Sequence, residues 1–289
     1  MIVDSNKVFR VAKNEYIKWI RNPKMIIVIV MMIFAYDYVI MELTKAADKM
    51  GEELQIFECF IGISNSQLLL MIVPIVFVGL MGDFPRVDGN AMFYIHRVGK
   101  NNWLIGQILF AAMASGTYLM ALLGFSVITI AGRCYVTNIW SEITTKYYLF
   151  APDDYMSRVA NLTTGRLYNN LPPVEATLNI LGLMFLFLIL ICMMLLVGFV
   201  CKIRTVGIVI TTGILCVGNV LAYMENNIRW LFPTAHAVLE IHFDEIYNKP
   251  IMDMRLSYLY YAVLLIILFV TAFLCIDKYD FSKIQELEE

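Results

Sequence analysis

The chain has 289 residues, and its 22 lysines and arginines against 24 acidic residues give a net charge of −2, which offers no field for nucleic acid. A hydrophobic fraction of 60% and a mean hydropathy of +0.70 exclude an ordinary soluble core and indicate an integral membrane protein. The six cysteines show no paired spacing, so neither a disulfide framework nor a zinc ribbon is indicated.

In chain order, residues 6–22 read as an interfacial connecting helix. At about 100° per residue, Val8, Phe9, Ala12, Tyr16, Trp19 and Ile20 fall on one arc of roughly 120°. Lys7, Arg10, Lys18 and Arg21 gather on the other side. An apolar face bearing tryptophan, opposed by basic residues, suits the headgroup layer of an anionic membrane. Asn22-Pro23 then supplies an elbow into the first apolar run. That run lies behind a long charged segment and lacks a small-residue cleavage site, so it is expected to remain as a span.

Six apolar stretches follow, at 25–40, 67–81, 103–131, 174–201, 206–223 and 257–276. A bilayer core of about 30 Å takes roughly 20 apolar residues per helix, so the first two are short and their edges least defined. Asp37 sits near the outer end of the first span, where a carboxylate marks either a transport pathway or a solvated surface residue. The third span carries Ala112, Ala114, Ser115, Gly116 and Ala121, a small-residue surface for close helix packing. Asn179 and Asn219 are expected to hydrogen-bond between helices. Lysine and arginine concentrate in the N-terminal segment, at Arg86, Arg97 and Lys100, and at Lys202 and Arg204. The segments 41–66, 132–173 and 224–256 are richer in acids. The positive-inside bias therefore places both termini in the cytoplasm and those three segments outside. Cys59 and Cys134 fall near outer ends, but spacing alone does not bring them together.

Enzyme chemistry is sparse. No Gly-x-x-x-x-Gly-Lys-Ser/Thr loop exists, since Gly99-Lys100 is followed by Asn101 and has no glycine five residues upstream. No His-Glu-x-x-His is present, and Glu52-Glu53 lacks the arginine that would suggest an intramembrane protease of the prenyl type, Phe57 standing at that position. His236, Glu240, His242, Asp244 and Glu245 can be drawn as a metal site, but an outer segment of solvated polar residues is the simpler expectation. No catalytic residue, metal or cofactor is assigned to the chain.

The segment Asp88-Gly89-Asn90-Ala91-Met92-Phe93-Tyr94-Ile95-His96-Arg97-Val98-Gly99-Lys100 precedes the third span. With the connecting helix and six spans, it resembles the first cytoplasmic loop of type-2 ABC transporter permeases, where a coupling helix docks on the ATPase. Asp88 stands where the family usually has glutamate. Trp230-Leu231-Phe232-Pro233-Thr234-Ala235 is similar to the proline turn of the family's re-entrant helices before the last span. The resemblance implies an all-α polytopic protein of the bacterial cytoplasmic membrane that is not itself an enzyme. It further implies two copies of a cytoplasmic ATPase subunit holding ATP and magnesium, and a second copy of this or a related permease. Asp88, Gly89, Phe93, Tyr94, Arg97 and Lys100 would then couple to the ATPase, and Phe9, Arg10, Tyr16, Trp19 and Arg21 would seat the connecting helix on lipid. The expected function is export of an amphipathic or hydrophobic substrate, a peptide first. The alternative is a stand-alone membrane protein, such as an ion-coupled carrier or an antimicrobial-peptide immunity protein.

Overall fold

The computed structural model describes residues 4–86, 91–152, 158–224, 226–244 and 249–276, with the backbone alone at 91–93 and 160. Helix makes up 78% of it. Helix α1 (Ser5–Ile20) starts where the Asp4 carboxylate accepts the Asn6 and Lys7 N–H groups at 3.0 and 3.4 Å. Asn22 and Pro23 make the turn into the first span. That span is α2 (Ile26–Ala35), a π turn (Tyr36–Ile40) and α3 (Met41–Met50), all inside one continuous helix over Pro23–Met50. It runs ten residues beyond the expected end at 40. Residues 41–50 form an amphipathic helix that buries Leu43, Ala46 and Ala47, and only Gly51, at φ +73°, stops it.

Strand β1 (Leu54–Gln55) leads into α4 (Glu58–Asn65) and α5 (Gln67–Leu80). Extended backbone at Ser66 separates the two helices, whose axes differ by 84°. The second span therefore differs from the straight helix expected at 67–81: α5 alone has 14 residues, about 21 Å at 1.5 Å per residue. Among the described residues, five helices are long and apolar enough to cross a bilayer, or six if α4 and α5 count as one broken span.

Helix α6 (Ala91–Val98) precedes the 30-residue α7 (Lys100–Thr129). Strand β2 (Cys134–Tyr135) pairs in parallel with β1, Leu54 opposite Cys134. Short helices α8 (Glu142–Phe150), α9 (Val159–Leu162) and α10 (Gly165–Tyr168) follow, then α11 (Pro173–Val200) and α12 (Arg204–Ala222). After a 3-10 turn (Asn227–Leu231) comes α13 (Pro233–Ala237), which opens on its proline. A second 3-10 turn (Glu240–His242) leads to α14 (Met254–Ile276).

Helix α11 is the most enclosed of these long apolar helices. Some 61% of its most apolar window is buried within the chain, against 33% for α12 and 17% for α14. Tyr118 ties α7 to α5 by donating to the Val73 carbonyl at 2.8 Å. Glycines allow the closest helix approaches. At Gly198 and Gly207 the backbones of α11 and α12 come so near that a Cβ on either would stand 3.0 Å from the other's Cα. Asn179 takes the Tyr258 hydroxyl of α14 at 3.3 Å, the interhelical bond expected of it, whereas the Asn219 side-chain oxygen has no partner.

The helix ends sort into two sets. At one end, Lys24 pairs with Asp83 at 2.6 Å, Arg204 donates to the Gly82 carbonyl at 3.1 Å, and the Cys201 and Cys275 sulfurs lie 3.5 Å apart. At the other, Arg133 pairs with Asp48 at 3.3 Å, and Lys49 reaches the Tyr147 hydroxyl at 3.3 Å. Here Glu58, fully buried, accepts from the Ser141 N–H and hydroxyl, each at 2.7 Å, and from the Gln55 N–H at 3.2 Å. Cys59 and Cys134 are free thiols.

Candidate functional site

The residues singled out in the connecting helix and in the loop before the third span meet where α1, α6 and α7 join. Gly99 makes the corner between α6 and α7 at φ +88°, a conformation that L side chains rarely adopt. Asn102, on the first turn of α7, is buried and holds all three helices. Its side-chain nitrogen donates to the Val98 carbonyl at 2.9 Å, closing the end of α6, and its oxygen accepts the Asp4 N–H at 3.0 Å, fixing the start of α1.

From this joint α1 runs along α7 in the same direction, Asp4 at Asn102, Val11 at Gly106 and Tyr16 at Thr117. Thr117 spends its own hydrogen on the Met113 carbonyl at 2.8 Å, so Tyr16 donates to Thr117 at 2.9 Å. Contact is closest at Gly106, where a Cβ would stand 2.5 Å from Val11 Cβ and 3.1 Å from the Val8 carbonyl oxygen. Part of the arc assigned to lipid thus packs against protein: Val8, Ala12 and Trp19 are buried, as is Val11 outside that arc, and Trp19 meets Phe110 edge-on with ring centres 6.3 Å apart. Phe9 and Ile20 stay exposed, as do Arg10 and Arg21.

Helix α6 faces two ways. Ile95 and Val98 are buried, Tyr94 is half-buried with its hydroxyl enclosed, and His96 and Arg97 point outward. Of the residues expected to couple to an ATPase, Tyr94 and Arg97 differ in exposure, and His96 and Arg97 form the exposed pair. Lys100 is half-buried at the start of α7. Asp88 and Gly89 lie outside the described residues, and of Phe93 only the backbone is described. Beside the joint, Lys24 holds the Asp83 carboxyl below the usual carboxylate range, with Arg204 and Arg86 adding to the effect.

Asp37 is exposed in the π turn of the first span. The segment after α12 overturns one expectation: His236 and His242 are not solvated but 3% and 0% exposed, and Glu240 is buried with them. Acidic neighbours made this stretch look solvated, yet α13 packs among α11, α12 and α14, and the turn after it packs on α10. Among the described residues no group of three or more His, Cys, Asp or Glu could hold a metal ion.

Asn102 and Gly106 were missed from sequence. The glycine immediately ahead of a long helix was their only signal, because an asparagine on a first turn usually bonds within its own helix. No protein-family model, curated protein or solved structure matches the chain.

Proposed function

We propose that this chain is the membrane subunit of an ATP-driven exporter, with ATP hydrolysed by two copies of a separate cytoplasmic ABC ATPase subunit and the permease paired with a second copy of itself. In this reading the protein sits in a bacterial cytoplasmic membrane, its joint of α1, α6 and α7 lies at the cytoplasmic side, and the substrate is an amphipathic or hydrophobic molecule, a peptide first. The observation that carries it is the mechanical linkage at Asn102. A short helix with two exposed cationic-capable side chains, His96 and Arg97, is bonded at its end to the first turn of a span, with a glycine corner between them. A push on α6 is therefore delivered to α7, and through the Asp4 bond to α1, as a rigid-body movement. The apolar flanks of α2, α12 and α14, exposed at Ile29, Val209 and Ile266 among others, supply surface for lipid and for a second copy.

Co-purification tests the reading. The chain, coexpressed with an ABC ATPase encoded beside its gene, should draw that ATPase into the detergent-solubilised fraction, and Arg97→Glu should weaken the capture. Transport by the purified chain in vesicles without any ATPase would overturn it.

A further inference from the structure

Ser257, on the first turns of α14 and fully buried, lies between two imidazoles. Its Oγ is 2.8 Å from His236 Nδ1 and 2.8 Å from His242 Nε2. The other nitrogen of each ring faces a backbone carbonyl, His236 Nε2 at 2.9 Å from Trp230 O and His242 Nδ1 at 2.8 Å from Val238 O. A carbonyl oxygen can only accept, so each ring carries its hydrogen on the carbonyl side and turns a lone pair toward Ser257. The hydroxyl has one hydrogen for two lone pairs. In the neutral cluster one of the two 2.8 Å contacts contains no hydrogen at all.

We propose that His236, Ser257 and His242 form a binding site for a single proton, shared by the two imidazoles through the serine hydroxyl. With one added proton, one ring donates to Oγ, the hydroxyl donates to the other ring, and all four contacts hold a hydrogen. A second proton would make both rings donors to Oγ and strand the hydroxyl hydrogen. The count therefore favours one proton over none or two. The proton comes from solvent, and it changes rings when the hydroxyl hydrogen passes to one imidazole as the other imidazole returns its own to Oγ.

The surroundings act in both directions. Tyr260 stacks on His236 with ring centres 4.0 Å apart, while Trp230 meets His236 at a tilt and His242 edge-on, with ring centres at 5.4 and 5.2 Å. The stacked face of Tyr260 favours a cation, as it does a guanidinium or ammonium. Tyr261 meets His236 edge-on at 6.2 Å. Glu240 is buried in the same turn as His242. Against protonation stand burial, which lowers both histidines and takes His242 to about 4, and the charge of Arg229. The proton therefore enters on acidification, and it tightens the hold of the α13 segment on the last span.

The chain has only one other histidine, His96, so histidine-labelled NMR of the detergent-purified full-length protein can resolve the site. His96→Gln assigns the third signal. On lowering the pH from about 8 to about 4, His236 and His242 should move together with one midpoint and a combined uptake of one proton. In Ser257→Ala they should titrate separately. Two independent one-proton midpoints in the native protein would overturn the proposal, and so would two rings that stay neutral throughout. The native titration decides alone if the alanine variant does not fold.

Discussion

The side-chain amide of Asn102 uses both its ends, the oxygen on the part-buried Asp4 N–H and the nitrogen on the buried Val98 carbonyl. Asn102→Ala leaves the two backbone groups unpaired and should cost about 1–3 kcal/mol, read as a lower thermal midpoint in detergent. Arg97→Ala, at an exposed position on the adjoining helix, should leave that midpoint unchanged. Glu58 predicts a pH dependence. It lies at the far end of the molecule, on a helix turned 84° from the span that follows it. Burial raises its carboxyl from 4.5 to about 7 although the Ser141 and Gln55 donors pull the other way. An acid that binds its proton more tightly when folded stabilises the fold fully below its unfolded value, and that contribution is lost as pH rises through the folded one. The thermal midpoint should therefore fall between about pH 4.5 and 7, and Glu58→Gln should flatten that dependence. A midpoint that rises over this interval would contradict the assignment.

At the scale of elements, helix α1 shows what a periodic pattern can and cannot tell. Its amphipathic character was legible because Val8, Ala12, Tyr16 and Trp19 repeat at helical spacing. The partner was not, because a neighbouring helix and a lipid layer bury the same apolar face. Gly106 marks the difference: Gly106→Val should force α1 off α7, since the new Cβ meets Val11 Cβ at 2.5 Å. Amide exchange across Ser5–Ile20 should accelerate by about tenfold or more, as overpacking of about 1–3 kcal/mol implies. Gly116→Ala meets only Phe185 at 3.7 Å and should leave exchange unaltered. Phe9, exposed, separates the two burial partners: Phe9→Glu should spare the α1–α7 contact yet reduce membrane yield if lipid covers that side. Elsewhere the same ambiguity misled. Glu42 and Asp48 looked like loop residues, but they ride the outer side of an amphipathic helix that keeps Leu43 and Ala46 inward. His236 and His242 looked solvated because acids flank them, and nothing local signalled that Ser257, on another element, would pair with both.

Across the whole molecule, the helix ends gather into two groups. Long apolar runs made the helical architecture readable. The 84° bend between α4 and α5 was hidden because composition does not mark the extended backbone at Ser66. The proposed coupling of α6 to a cytoplasmic ATPase is tested most directly by substrate-stimulated ATP hydrolysis in the reconstituted complex. The native chain should be compared with a His96→Glu, Arg97→Glu variant, which reverses the exposed end of α6 without touching its buried Ile95 and Val98. Basal hydrolysis should survive, while stimulated hydrolysis and export fall together by about tenfold, equivalent to about 1.4 kcal/mol of docking. Stimulated hydrolysis and export that both persist at the native level would contradict the coupling role of α6.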